Sequence, residues 1–465
     1  MENKQAKKVL SAALATGADL AELYVQNKLS RVVQLNYKRV DNVATTLVYG
    51  AGLRLMRGVQ QVYGYTSDLS EASLLALADK LAAYFDGKRA VDCGDIKDVK
   101  NPETHKPKKE HETLSVADTI TYLKKGEDAI YAASPLIVNA TCNAIFNDEK
   151  AEIFTATADG ARAVRDRRVH TRLTAQAVAA RDGAFEVGFS GPGLSKGAEF
   201  LDEIDYVAEA EKAAKTAVAL LDAPECPSGV MPVVIGNGFG GVLFHEACGH
   251  PLEGTAISHN ASPFAGKLGE KVASELVTAI DDGTRKNGWG SECFDDEGVA
   301  STKNVLIEKG VLKSYMIDTF DGRRLGMKPT GACRRESYKF LPTTRMTNTY
   351  IAAGESKPED IIKATKQGIY CVSFNGGSVD PTTDKFNFTS AETYLIKDGK
   401  IDKLVKSPTL TGFGYEILHK IDMVGNDCAL AAGNCGAASG MVCAAVGQPT
   451  LRVSEMTVGG KGETI

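Results

Sequence analysis

Apolar residues recur at helical spacing through QAKKVLSAALATGA (5–18) and stop at Gly17, which predicts an opening helix. The texture then changes. Residues 21–68 alternate apolar and polar positions, are rich in Val, Leu and Tyr, and place Gly at the expected turns. That is the pattern of antiparallel strands with one wet face. EASLLALADKLAAYF (71–85) returns to helical spacing, whereas the polar stretch 92–115 carries two prolines and predicts a loop. His105 and His111 fall in that loop and read as solvated. A helix near 115–132 precedes a second alternating region, 151–191, with Asp-Gly turns. His170 lies in it beside Arg167 and Arg168, which suggests the polar face of a sheet and no metal. The Ala-rich amphipathic run 200–222 predicts a long helix that ends before the break APECPSG (223–229).

Past that break the chain opens with the strand VMPVVIG and continues in short Val/Ile/Thr-rich segments and Gly-rich turns. The pattern predicts an α+β protein of two domains, with mostly antiparallel sheets and flanking helices. The expected units are 1–222, with a possible subdivision near 92–114, and 223–465. A chain of 465 residues exceeds the size at which one core keeps growing, so more than one domain is expected.

Charge and composition narrow the function. A net charge of −5 leaves no basic footprint for nucleic acid or an anionic membrane. No run approaches ~18 uninterrupted apolar residues, and the start lacks the apolar core of a signal peptide. The expectation is a soluble cytoplasmic protein without nucleic-acid or membrane partners. The ten cysteines form no C-x-x-C pair, so most should be buried apolar residues in a reducing compartment.

The stretch IGNGFGGVLFHEACGHPLEG (235–254) supports two chemistries. Gly236, Gly238 and Gly241 after a strand resemble a dinucleotide-binding turn. However, the segment that should be its helix meets Gly249 and Pro251 within about two turns, and the rest of the βαβ unit is missing. The plainer reading is that these glycines permit a tight turn or the close approach of another backbone. The second half carries His245, Glu246 and His250, residues of the two types a metallopeptidase motif uses. In H-E-x-x-H, histidines four apart lie ~40° apart around a helix, but the five-residue spacing here would give ~140°. A left-handed Gly249 ending the helix, with Pro251 preventing its resumption, would fold His250 back toward His245. Glu246 would then face an open coordination position and serve as general base.

Beyond this stretch, GEKVASELVTAIDDGT, FDDEGVASTKNVLIEKGVLKSYM, PTGACRRESY, RMTNTYI, DIIKATKQGIYC, MVGNDCAL and VGQPTLRVSEMTVGG follow in order. With LFHEACGHPLEG they make the chain resemble the TldD/PmbA family, once described as modulators of DNA gyrase and now understood as cytoplasmic metallopeptidases. The H-E-x-x-x-H stretch belongs to the TldD branch and is absent from the PmbA (TldE) branch, so the resemblance is to the catalytic subunit. It implies zinc held by His245, His250 and one Cys-Gly cysteine near the C-terminus, which is Cys435 in GNCGAASGMVCAAVGQPTL. Three protein ligands leave a fourth position open, as catalytic zinc requires.

Cys443 and Cys428 are weaker rivals for the third position, and Cys248 is expected to pack. Glu253, His259, Asp281, Asp282, Asp295, Asp296 and Glu297 remain alternatives from residue type alone, while Arg334, Arg335 and Tyr338 could hold a peptide carboxylate or carbonyl. The resulting expectation is a zinc-dependent peptidase acting on short or unfolded peptides, in which Glu246 assists attack by zinc-bound water. The resemblance further implies a dimer, with a PmbA/TldE-like chain or with a second copy. The contrasting expectation is a non-catalytic binding or scaffold protein with structural histidines.

Overall fold

A computed structural model describes residues 1–380 and 383–462. The protein is α+β, with mostly antiparallel sheets and flanking helices. Helix α1 (Asn3–Ala13) leads into β1 (Leu20–Asn36), β2 (Arg39–Arg57) and β3 (Gln60–Thr66), a meander followed by α2 (Glu71–Ala82). Then come α3 (Val116–Ala133), β4 (Ile137–Thr157), β5 (Gly160–Arg181), β6 (Ala184–Ser190) and α4 (Tyr206–Leu221). These strands form one eight-stranded sheet along the path β3-β2-β1-β4-β5, completed by β6 and two short strands against β5.

Helices α3 and α4 start where side chains satisfy their free amides. Ser115 and Asp118 form a reciprocal capping box on α3, and Asp205 accepts from the Ala208 amide at the start of α4. Such caps contribute about 1 kcal/mol each. Ala210, Ala214 and Ala217 of α4 pack in one core cluster with Leu173, Ala175 and Ala177 of β5. The small alanines let the helix lie close to the sheet.

The second half contains two large further sheets and a two-stranded one formed by Cys333–Arg334 and Thr343–Thr344. β7 (Gly229–Ile235), β10 (Gln367–Asp380), β11 (Lys385–Lys397), β12 (Thr409–Phe413) and β15 (Leu451–Gly459) run in the order β10-β7-β15-β12-β11, after β8 (Ala279–Asp282) and β9 (Asn348–Ile351) have been drawn into the other sheet. Pairing between β10 and β11 closes this path into a ring. The other sheet runs through β8 and β9 to β14 (Gly440–Gln448) and ends at β13 (Ala429–Ala437). β9 and β14 pair in parallel, and the hairpin β13–β14 is antiparallel. Among the described residues no helix is long and apolar enough to cross a membrane.

Three histidines sit in surroundings that differ from expectation. His105 and His111 are buried, not solvated, at 4% and 8% exposure. His105 Nδ1 accepts from the Asn287 amide at 3.1 Å, and His111 Nε2 lies 2.8 Å from Thr171 Oγ1. His170 is also buried, with Nε2 3.0 Å from the Trp289 carbonyl oxygen. Residues 285–297 of the second half cover both His105 and His170: Asn287 meets His105 in its loop, and Trp289 meets His170 on the sheet face that looks polar in sequence.

That interface is charged and buried. Arg54 Nη2 lies 2.5 Å from both Glu22 and Glu297, and Arg335 Nη2 reaches Glu22 at 2.7 Å. Arg168 pairs with Asp296 at 2.6 Å, and Arg334 with Glu292 at 2.6 Å. Alternating positions on β1, β2 and β5 thus face carboxylates and guanidinium groups of the second half. Removing one partner from such a pair leaves an uncompensated buried charge.

Candidate metal centre

β7 enters the centre between β10 and β15 and is followed by a 3₁₀ turn at Gly238–Gly241. This turn packs against the backbone of β14: a Cβ on Gly241 would lie 2.4 Å from the Gly447 carbonyl oxygen. Gln448 Nε2 fastens the turn by donating to the Gly236 carbonyl at 3.1 Å. The glycine pattern therefore serves close backbone approach.

The helix that follows does not end between the histidines. Val242–Phe244 is α-helical, and His245–Gly249 forms a π-turn. Gly249 has φ −62° and ψ −55°, in the right-handed region, so the expected left-handed break at this residue is incorrect. The chain leaves helical geometry at Glu253, with φ −74° and ψ 141°. A π-turn bonds residue i to i+5, which brings residues five apart over one another on one face. The extra residue that would put two histidines on different sides of an α-helix is absorbed by widening the turn. Gly249 has a steric task instead: a Cβ there would sit 2.2 Å from Met346 Sδ.

Three side chains meet at this turn. His245 Nε2 lies 3.2 Å from Cys435 Sγ on β13, and His250 Nε2 lies 3.3 Å from the same sulfur. The two imidazole rings are edge-on, with centroids 5.1 Å apart. One ligand atom from each of His245, His250 and Cys435 lies within 4.8 Å of the others. A tetrahedral zinc with Zn–N of ~2.0–2.1 Å and Zn–S of ~2.3 Å would set N–S edges of about 3.6 Å, so small shifts accommodate the ion. Two nitrogens and one thiolate suit zinc by softness and leave a fourth position open.

The surroundings orient the set. Glu253 Oε2 accepts from His250 Nδ1 at 3.1 Å, which leaves Nε2 directed at the sulfur. Arg345 is fully buried and donates to the carbonyl oxygens of Cys435 at 2.5 Å and Gly440 at 2.7 Å, so it clamps both strands beside the hairpin turn. His245 Nδ1 is solvent-excluded without a partner, and the ring is held by packing and by its Nε2 side. Burial first, then His250 and Arg345, push the His245 imidazole well below its ordinary pKa and favour the neutral form. His250 is pushed the other way: burial opposes its charge, but Glu253 and the Cys435 hydrogen bond outweigh it.

Glu246 Oε2 lies 3.7 Å from His250 Nε2, and its side chain keeps 26% exposure. It is at the rim of the cluster and still open to water. Burial raises its pKa above the usual carboxylate value, with His250 opposing.

The other candidates lie elsewhere. Cys248 is buried with Sγ near the Gly414 carbonyl, Cys428 Sγ faces the Ile351 carbonyl, and Cys443 is opposite Asn434 in the hairpin. His259 bonds the Thr255 carbonyl, Asp281 accepts from Thr347 and Thr349, and Asp282 from Thr284. Asp295 accepts the amides of Glu297, Val299 and Cys333, while Asp296 and Glu297 belong to the charged interface. Arg334 and Arg335 also lie in that interface, and Tyr338 is buried edge-on to Tyr65. None of these reaches the cluster except Glu253, which touches it through His250. Sequence reasoning missed Arg345; a lone arginine in RMTNTYI carries no local signal of the hairpin it clamps.

Comparison with known proteins agrees with this architecture. The profiles described as PmbA/TldA metallopeptidase domain 1, central domain and C-terminal domain match residues 21–84, 109–221 and 228–460. The chain belongs to this metallopeptidase family. Within it, the chain is 37% identical to a metalloprotease TldD homolog of Haemophilus influenzae over 457 residues, covering 95% of this chain and 93% of the relative. A zinc metalloprotease TldD homolog of Saccharolobus solfataricus is 30% identical over 235 residues, 50% of this chain and 52% of that one. The fold matches that of TldE from Thermococcus kodakarensis, with TM-score 0.79 at 18% identity over 98% of this chain and 100% of that one. It also matches a proposed modulator of a DNA gyrase from Thermotoga maritima, with TM-score 0.79 at 21% identity over 98% and 99%.

Proposed function

We propose that the protein is a zinc-dependent peptidase that hydrolyses peptide bonds in short or unfolded peptides. The observation that carries this reading is the convergence of His245, His250 and Cys435 on one point, with Glu246 at its open rim. His245, His250 and Cys435 would hold the ion. When bound, zinc would supply a Lewis acid that polarises a scissile carbonyl and acidifies water. Glu246 takes the proton from the attacking water and delivers it to the departing amine nitrogen, a role suited to a carboxylate whose pKa burial has raised. Glu253 fixes the tautomer of His250, and Arg345 positions Cys435 by holding its backbone.

A place for the peptide follows from the edge of the sheet. Ala445 of β14 donates its amide to Thr347 on the far side, so its partner Ala432 turns its backbone groups away from β14. Alternation turns those of Asn434 the same way, beside Cys435. An extended peptide pairing with this edge would be held by main-chain bonds with little regard to sequence. We assign the cytoplasm as the compartment, 1–222 and 223–465 as the domains, and a dimer with a TldE-like chain or a second copy as the working assembly. Likeness in fold to a TldE chain supports that partnership.

The test is hydrolysis of an unfolded peptide by the protein, alone and with a TldE-like chain from the same genome, with and without chelator. Cleavage that chelator abolishes and that Glu246→Gln lacks is the expected result. Cleavage by Glu246→Gln at the rate of the unaltered chain would remove the general base, and no cleavage under any condition would favour a scaffold.

A further inference from the structure

We propose that Arg172 determines specificity by receiving a carboxylate of the peptide at the open edge of β13; the inference rests on the peptidase reading above. Arg172 projects from β5, and its Nη2 donates to the Ala432 carbonyl oxygen at 3.2 Å. That oxygen is on the outward side of β13, three residues before Cys435. Trp289 supports the arrangement: its Nε1 donates to the Gly433 carbonyl at 2.6 Å, and the guanidinium lies 5.7 Å from its ring centroid. Arg172 therefore stands where a strand added to β13 would run out of free acceptors.

Its charge has no counterpart. Arg165, Arg167 and Arg168 of the same strand pair with Glu152, Asp148 and Asp296. Among the described residues no carboxylate lies within ion-pair distance of Arg172, although the side chain is largely buried and burial disfavours its charge. Its Nε is solvent-excluded and unbonded, while Nη1 makes no hydrogen bond and is not solvent-excluded. A largely buried guanidinium fastened by the Ala432 carbonyl and the Trp289 ring, with one open donor and no anion, is a receptor for a carboxylate. At ~3.3 Å per residue it stands roughly 10 Å along the edge from Cys435, about three peptide residues from the bond facing the cluster. The carboxylate is either the α-carboxylate of the peptide's C-terminus or an Asp or Glu side chain at that distance.

The test uses the full chain carrying Glu246→Gln, so that peptides bind without being consumed. N-terminally labelled peptides of one sequence are titrated by fluorescence anisotropy as free acid, as C-terminal amide, and as amide with a single Glu placed at successive positions. The free acid or one Glu peptide is expected to bind about tenfold more tightly than the neutral amide, the order of one charge-assisted pair. Arg172→Gln should erase that difference, read as the ratio of carboxylate-bearing to neutral-amide affinity, and Arg172→Lys should keep part of it. A preference for the free acid identifies the α-carboxylate, and a preference for one Glu position identifies the side chain. Equal binding of all peptides to the chain with Arg172 intact overturns the proposal without need of any Arg172 variant. Uniform weakening of every peptide by Arg172→Gln overturns it too, since that is what a brace for β13 would give. Cleavage by the unaltered chain without carboxylate preference sinks this inference alone, whereas absence of both binding and cleavage removes the peptidase reading and this inference with it.

Discussion

Glu253 and His250 face each other across 3.1 Å, from Oε2 to Nδ1, and this pairing turns the opposite nitrogen of the ring toward Cys435 Sγ at 3.3 Å. The pair is three positions apart in sequence, but the second lies just where the chain leaves the helix, so the carboxylate can reach back to the ring. Partners of this kind usually account for 10–100-fold in metal affinity. Glu253→Ala should therefore weaken zinc binding by roughly that factor. Competition against a chromophoric chelator measures it; unchanged affinity would remove Glu253 from the site.

Gly249 and Met346 form the second close contact of the π-turn. A Cβ on Gly249 would lie 2.2 Å from Met346 Sδ and 3.0 Å from its Cε, and Met346 is fully buried. Gly249→Ala should destabilise by about 1–3 kcal/mol through overpacking. In a Gly249→Ala/Met346→Ala double variant the two effects should add to less than their sum, read from denaturant midpoints. Strict additivity would show that the two residues do not share the space.

Arg335 joins Glu22 of the first sheet, and its backbone amide donates to Asp296 Oδ2 of its own half at 2.7 Å. Arg335→Ala leaves the buried carboxylates of Glu22 and Glu297 to share Arg54, one positive charge short, and the expected loss is about 3–5 kcal/mol. A loss below about 1 kcal/mol, the range of exposed pairs, would mean that water enters this interface.

His170 predicts an acid dependence. Burial holds its pKa down to about 3, whereas in the unfolded chain it titrates near the ordinary 6.5. Above about pH 6.5 both states are neutral and the histidine adds no slope. Below it the unfolded chain takes up a proton that the folded chain refuses, so stability falls until the folded group itself titrates. The slope approaches about 1.4 kcal/mol per pH unit, or about 2 kcal/mol between pH 7.5 and pH 5. Relative to His170→Gln, the unaltered chain should lose about that much over this range in chemical denaturation. Parallel profiles for the two proteins would contradict a neutral buried imidazole.

Periodicity carried most of the elements, because long amphipathic strands and Ala-rich helices each impose one dominant repeat. It also carried the pair of histidines and the adjacent glutamate. Four features were not legible. Gly249 is kept small by Met346, distant in sequence, and adopts right-handed geometry, so a local reading that took the glycine for a left-handed stop expected a helix break. His105 and His111 lie in a stretch so polar that solvent seemed their natural surrounding, yet Asn287 and Thr171 enclose them. The buried charges of β1, β2 and β5 alternate as a wet face would, and only the packing of the second half distinguishes the two. Cys435 was reached through resemblance, since nothing in its spacing from His250 marks it among ten cysteines.

The most direct measurement is the zinc content of the purified chain beside those of Cys435→Ala, His245→Ala and Glu246→Gln, determined by elemental mass spectrometry on folded protein. Stoichiometric zinc in the unaltered and Glu246→Gln chains, with loss in Cys435→Ala and His245→Ala, is the predicted result. Full zinc retained by Cys435→Ala or His245→Ala, or none in the unaltered chain supplied with zinc, would contradict a metal centre built from His245, His250 and Cys435.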